Sequence, residues 1–341
     1  MKDAFDARRA IVEKLESLTE LKGRLKEHVE MLAHTIGPRS YEEHPESLER
    51  AATFLEETWQ NQGYEVRRQT YHYGAYKNWF TYVKAGKGVN LEVTIRGREK
   101  PEEIVLVGAH HDSAGNAPGA DDNASGDAAL VEISREMRYA MPAKTVRFVA
   151  FSHEEPPYGG TRAMGSTRYA VEARKRGDNI ISMMALDAIG YYSDQPGSQK
   201  QVVVSIPNQP DTQPQEITSF PDIGNFLAFV GHGGSRQLVE DAASVFRRNA
   251  AFPTEVVVAP VDGLYKFGEI AVLPEPYEKV GWSDHASFWG QGYNNAIMVT
   301  DTGPLRNPHY HKNTEIVDSL DFNGLTLVTA GLTDVVRYLA A

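Results

Sequence analysis

The 341-residue chain contains no cysteine, which removes disulfides, thiolate metal sites and cysteine nucleophiles from consideration. Any metal must therefore be held by His, Asp and Glu. Basic residues are also scarce. Lys plus Arg number 35 against 46 for Asp plus Glu, a formal net charge of -11. Nucleic acids and anionic membranes both reward a basic face, so this balance argues against either as a partner. No run approaches the ~18 consecutive apolar residues of a membrane helix. The N-terminal MKDAFDARRAIVEKLESL mixes both charges throughout and lacks the apolar centre of a signal peptide. The chain as it stands reads as cytoplasmic, with an exported protein whose signal has been trimmed as the alternative. No Ser/Gly-rich linker, repeat or low-complexity tract divides it, so residues 1–341 read as one domain.

What is present is ordinary globular composition, 41% hydrophobic and 24% charged. Two helical stretches open the chain, roughly 4–35 and 45–62, the second with Leu48, Ala51, Ala52, Leu55 and Trp59 at helical spacing. Strand-like runs follow at 64–73, 79–83 and 89–95. Beyond residue 100, apolar strands alternate with helices: strands at 104–109, 145–152, 180–186, 201–206, 225–231, 254–260 and 296–301, and helices near 124–140, 161–176, 235–249 and 320–339. Continuous apolar strands separated by helices imply a sheet covered on both faces, hence an α/β fold. The stretch 191–224 reads as a surface excursion, and 262–284, with Gly, Pro and aromatics, as one wall of a pocket.

Four short segments place acids or histidines after an apolar strand: 108–126 (GAHHDS through PGADDNASG), 152–155 (SHEE), 186–190 (LDAIG) and 307–313 (NPHYHKN). In open α/β sheets, ligands bind beyond the carboxyl ends of the strands. The pattern therefore delivers His110, Asp112, Asp121, Asp122, Glu154, Glu155, Asp187 and His311 to one sheet edge. So many carboxylates repel one another unless protonated or neutralised. Two zinc ions carry the charge to neutralise them, and imidazole and carboxylate suit zinc.

Taken singly, each segment has a plainer explanation. DDNASG alone is most often a helix N-cap, Glu-Glu before Pro-Pro a solvated loop, and LDAIG a strand ending at Gly190. Ser283-Asp284-His285 fits a helix cap before ASFW better than a serine hydrolase triad. The loop 231–234 (GHGG) lacks the Lys and spacing of a phosphate loop. The joint order and placement reverse these readings.

The ordered series HxD, GADDNASG, EE, LDxIG, SDH and YH, from about residue 100 to the C-terminus, resembles metallopeptidase family twenty-eight, the co-catalytic zinc exopeptidases that include bacterial leucyl aminopeptidases. The resemblance implies a single α/β domain of the zinc-exopeptidase, phosphorylase/hydrolase-like fold, with a central mixed, mostly parallel sheet flanked by helices. It implies two Zn²⁺ per chain, with His110 and Asp187 on one, Glu155 and His311 on the other, and Asp122 bridging. Asp112 would orient His110, Glu154 would be the general base, and Tyr310 would hydrogen-bond the developing oxyanion. A cis peptide after the bridging Asp122 also belongs to the family pattern. Pro156-Pro157 disfavours helix at Glu155, so the chain turns there and lets Glu154 and Glu155 differ in role. A helix starting near Ala124 would set its positive end beside Asp122.

One departure stands at the end of the site. Glu315 and Ile316 follow His311 where the family commonly has Asp then Thr, which counts against a positioning role at 315. Residues 1–100 carry no recognisable motif. The activity implied is an aminopeptidase that hydrolyses the bond after the free N-terminal residue of a peptide, with water shared between the two ions. The alternatives are a glutaminyl-cyclase-like acyltransferase with one zinc and a non-catalytic binding domain of the same fold. Oligomeric state leaves no mark in the sequence.

Overall fold

Apolar residues on the central strands alternate between two cores. In a computed structural model describing residues 2–77, 82–204, 215–216, 219–261, 264–267, 269–275 and 277–341, the main sheet has eight strands. They are β1 (Arg67–Tyr73), β2 (Gly86–Ile95), β3 (Lys100–His110), β4 (Lys144–Phe151), β5 (Asn179–Leu186), β6 (Leu227–His232), β7 (Thr254–Ala259) and β8 (Ala296–Thr300). Their spatial order is β1-β2-β4-β3-β5-β8-β6-β7. The four central strands, β4-β3-β5-β8, run parallel. The antiparallel pairs are β1–β2, β2–β4 and β6–β8, and β7 is again parallel to β6. The sheet is mixed and mostly parallel, flanked by helices in a single domain. Within the strand expected at 201–206, Val203–Val204 is extended and pairs with Gln215–Glu216; residues 205–206 lie outside those described, as do 79–81 of the run at 79–83.

Seven helices accompany these strands: α1 (Lys2–Val29), α2 (Pro45–Asn61), α3 (Gly126–Met137), α4 (Gly165–Arg176), α5 (Arg236–Ala250), α6 (His285–Gly290) and α7 (Phe322–Leu339). A π-helical turn, Glu30–Ile36, continues from α1. Side chains on a strand point alternately to opposite faces. Val105, Val107 and Ala109 of β3 accordingly join the core with α1, α3, α5 and α7. Ile104 and Leu106 join a second core, with Tyr169 and Ala170 of α4 and Phe288 and Trp289 of α6. On α7, Leu325, Val328, Leu332, Val335 and Val336 recur at helical spacing and are all buried.

Strand ends then set the site. His110, the last residue of β3, pairs with Phe151 at the end of β4. Gly108 pairs with Ala185 near the end of β5, and Val299 of β8 pairs with Leu186. The parallel strands therefore finish nearly level, and whatever follows them meets at one edge.

Candidate metal centre

Two groups of ligand-type side chains occupy that edge. His110, Asp122 and Asp187 form one, and Asp122, Glu155 and His311 form the other, with the donor atoms of each group within 4.8 Å of one another. Asp122 belongs to both. Its Oδ1 lies 3.0 Å from Nε2 of His110 and its Oδ2 3.0 Å from Nε2 of His311. Nε2 of His110 is 3.8 Å from Oδ1 of Asp187, and Nε2 of His311 is 3.3 Å from Oε2 of Glu155. His110, Asp122 and Glu155 are buried, whereas His311 faces the opening with 32% of its side chain exposed.

These atoms fit a cation better than they fit one another. Both ring nitrogens of His110, Oδ1 of Asp122 and Oε1 of Glu155 are buried without a hydrogen-bond partner, a costly state unless something binds them. The acids also crowd. Burial, with Asp187 and Glu155 close by, drives the Glu154 carboxyl well above its ordinary range despite His110. Burial and the negative charge of Asp122 push Glu155 up to about 7. An imidazole and carboxylate set of this kind suits zinc.

Local structure explains how each residue arrives. The segment before α3 is an irregular turn, Ala120–Ser125, in which Asp122 has an extended backbone (φ -107°, ψ 93°) and the expected cis peptide joins it to Asn123. Helix α3 itself begins at Gly126, slightly later than the sequence suggests. The polar residues of this turn reach outward rather than serving only as a cap. Oδ1 of Asn123 accepts the N–H of Gly126 at 3.1 Å and that of Ala188 at 3.2 Å, and its Nδ2 donates to the Leu186 carbonyl at 2.8 Å. Asp121 accepts the N–H of Gly190 at 2.9 Å and Nδ2 of Asn307 at 2.8 Å. Ser125 Oγ accepts the N–H of Ile189 at 3.0 Å. Asp122 is thereby locked to the segment that carries Asp187. A Cβ on Gly126 would stand 2.2 Å from Oδ1 of Asn123 and 2.7 Å from the Leu186 carbonyl, so only glycine fits there.

Asp112 sits 3.5 Å from Nδ1 of His110, beyond a firm hydrogen bond. Its stronger bonds go elsewhere: its two oxygens accept the N–H groups of Glu154 and Glu155 at 3.1 and 3.0 Å. It therefore fixes the turn after β4 as well as standing behind His110. Despite its burial, the nearby charged imidazole of His110 and the Glu155 amide bring its carboxyl down to about 2. Glu154 reaches inward, with Oε2 3.8 Å from Nε2 of His110. The Tyr310 ring stacks on that of His311 with centroids 4.0 Å apart.

The reading of Glu315 needs correction. The side chain is fully buried, its Oε1 accepting the N–H of Asp122 at 2.7 Å and its Oε2 that of His311 at 2.9 Å. A Glu reaches both amides, so replacing the usual Asp does not remove the positioning role. Arg39 was missed altogether. Its buried guanidinium donates to five carbonyls, those of Leu32, Gly37, His111, Pro118 and Gly119, at 2.6 to 3.1 Å. The motif-free N-terminal part thus clamps the loop that leads to Asp122. Between Ser283, Asp284 and His285 there is no triad, because Nε2 of His285 pairs with the Val280 carbonyl at 2.8 Å.

A cleft of about 540 Å³ opens onto Glu154, Glu155, Tyr310 and His311, and residues from 270 to 287 form much of its far wall. No helix among the described residues is long and apolar enough to cross a membrane.

Known proteins resemble this chain in sequence and in fold. The model of Peptidase family M28 matches residues 90–217. The Escherichia coli K12 protein YfbL is 31% identical over 317 residues, an alignment covering 91% of this chain and 85% of YfbL. Among solved structures, BSAP, a zinc aminopeptidase from Bacillus subtilis, superposes with a TM-score of 0.65 at 14% identity, covering 93% of this chain and 95% of that one. A Bacteroides thetaiotaomicron glutaminyl cyclase superposes with a TM-score of 0.63 at 16% identity, covering 93% and 97%. At those identities the likeness extends to the fold alone.

Proposed function

This chain belongs to Peptidase family M28 and is a zinc metallopeptidase, and from that premise we propose that it is a two-zinc aminopeptidase acting on the free N-terminus of peptides. The observation that carries the reading is the division of Asp122, one carboxylate oxygen toward His110 and the other toward His311. One ion would be held by His110, Asp122 and Asp187, the other by Asp122, Glu155 and His311. Zinc in such a pair supplies Lewis acidity toward a carbonyl and lowers the pKa of water.

The chain's own residues supply the rest. Glu154 is the general base: it takes the proton from the attacking water at its carboxylate and returns it to the departing amine. Its backbone is pinned by Asp112, which keeps the carboxylate aimed inward. Tyr310, held flat against the His311 ring, donates its phenolic hydrogen to the carbonyl oxygen as that oxygen gains charge. Burial raises the Tyr310 pKa, which keeps the phenol protonated as a donor needs.

A glutaminyl-cyclase-like reading rests on the shared fold. Two complete ligand groups favour the peptidase, because one ion would leave Asp187 or Glu155 without a charge partner. Zinc content of the purified protein, combined with hydrolysis of aminoacyl anilides and their α-N-acetylated forms, tests the proposal. Two ions and cleavage only of free-amine substrates support it. One ion with full activity, or cyclisation of glutaminyl peptides without hydrolysis, sinks it.

A further inference from the structure

The cleft beside the metal centre is largely apolar on its far wall, with Met164, Ala271 and Ala286 among its lining residues. Two polar atoms lie just behind that wall. Glu278 and Ser283 both line the cleft, and Oε2 of the first and Oγ of the second are both buried and both lack a hydrogen-bond partner. Among the described residues no cation pairs with Glu278. Its neighbour Lys279 lies over the Trp282 ring instead, with Nζ 5.5 Å from the centroid. Trp282, at 61% exposure, stands at the rim of the same cleft.

We propose that Glu278 and Ser283 form a subsite for the cationic side chain of a substrate's first residue, so that this chain prefers N-terminal Lys or Arg. This rests on the aminopeptidase reading above. A buried carboxylate oxygen without a partner is costly unless a ligand satisfies it. A basic side chain matches the wall: its apolar stem packs on Met164, Ala271 and Ala286 while its charged head meets the acid. The charge-assisted bond to Glu278 is the strong contact. Ser283 Oγ accepts a second donor from the ammonium or guanidinium. The formal charge of -11 assists a cationic substrate.

The experiment compares lysyl with norleucyl ligands, which share stem length and differ in the charged head. Values of kcat/KM on lysyl, arginyl, norleucyl and leucyl anilides are measured for the zinc-loaded protein and for Glu278→Gln. Calorimetric binding of lysinamide, norleucinamide and their α-N-acetyl forms accompanies them. Lysyl over norleucyl is expected to lead by roughly ten- to a hundredfold, the scale of a hydrogen bond to a charged group. Glu278→Gln brings that ratio towards one, and Glu278→Lys inverts it. The binding preference survives α-acetylation, because it resides in the side chain. The proposal is overturned if Glu278→Gln, folded by circular dichroism, keeps the ratio. It is equally overturned if the substitution weakens lysyl and norleucyl ligands alike and acetylation abolishes the effect, since Glu278 would then hold the α-amine. Absence of turnover on every anilide counts against the aminopeptidase reading alone, while calorimetry still decides the subsite.

Discussion

Glu315 and Asp122 are joined by a 2.7 Å hydrogen bond from the Asp122 amide, and the other oxygen of Glu315 takes the His311 amide at 2.9 Å. One carboxylate thus sets the spacing between two proposed ligands of the second zinc. Outer partners of this kind typically contribute ~10–100-fold to metal affinity. Glu315→Ala should lower zinc affinity on that scale and release one ion before the other in a chelator titration. Simultaneous loss of both, or no loss, contradicts the arrangement.

Glu154 and Glu155 are adjacent but should fail differently. Glu154→Gln keeps shape and removes the proton acceptor, so both ions remain while kcat falls by ~10²–10⁴-fold. Glu155→Ala should weaken one zinc site, with partial recovery of activity at high zinc concentration. Zinc content measured beside kcat for both variants decides the matter. Loss of metal from the first, or two tight ions in the second, reverses the assignment.

Asp122→Ala tests the bridge. Removing the shared carboxylate should cost both ions, whereas His311→Ala should cost one. Saturating zinc should also stabilise the parent protein by about 4 kcal/mol for each site filled at a thousandfold excess over Kd, and chelation should lower Tm correspondingly. Atomic absorption and thermal melts read both effects. A single retained ion in Asp122→Ala would mean that the two groups are independent.

Arg39→Met removes five hydrogen bonds to carbonyls while keeping an apolar stem. Leaving a buried carbonyl without its hydrogen-bond donor typically costs ~1–3 kcal/mol. Urea unfolding should reveal a loss of that size, with zinc affinity reduced as well because the Pro118–Gly119 carbonyls lose their anchor. A change below ~1 kcal/mol would fall to the level of an ordinary surface substitution and contradict the clamp.

Acid sensitivity has a separate source on the helical face. Glu132 of α3 is buried, yet the bonds it accepts from His28 at 2.9 Å and Arg24 at 2.7 Å outweigh burial and hold its carboxyl at about 2. Its folded value lies below the ordinary 4.5, so its stabilising contribution is complete above 4.5 and lost as pH falls towards 2. Glu132→Gln should destabilise the metal-free protein by on the order of 3 kcal/mol at pH 7. The gap between variant and parent should narrow below pH 4.5. A pH-independent gap in urea unfolding rules out this ion cluster as its cause.

The sequence discloses the candidate ligands because zinc chemistry permits few residue types and the α/β architecture fixes where they must fall. His110, Asp187 and the Glu154–Glu155 pair follow strands whose apolar runs are unmistakable. Arg39 was illegible for the opposite reason: its partners are main-chain carbonyls, which leave no trace in residue identity. Glu315 was misjudged because a family habit was weighed above the reach of a side chain longer by one methylene. Asn123 shows a third limit. A cap residue and a brace to a distant segment use the same amide, and only the folded chain reveals that Leu186 and Ala188 lie within its reach.

The proposed ligands also carry a temporal order. His110, Asp122 and Asp187 are all synthesised before residue 190, but the second group waits for His311, which reaches the site only after β8 has joined the sheet between β5 and β6. The first group is thus present in the chain well before the last imidazole, although the carboxylate of Glu315 that holds the Asp122 amide also comes late. On the two-ion reading, a chain that ends before His311 lacks a ligand of the second ion and has no complete two-ion centre. The order of ligands along the polypeptide would then withhold proteolysis until the sheet is complete.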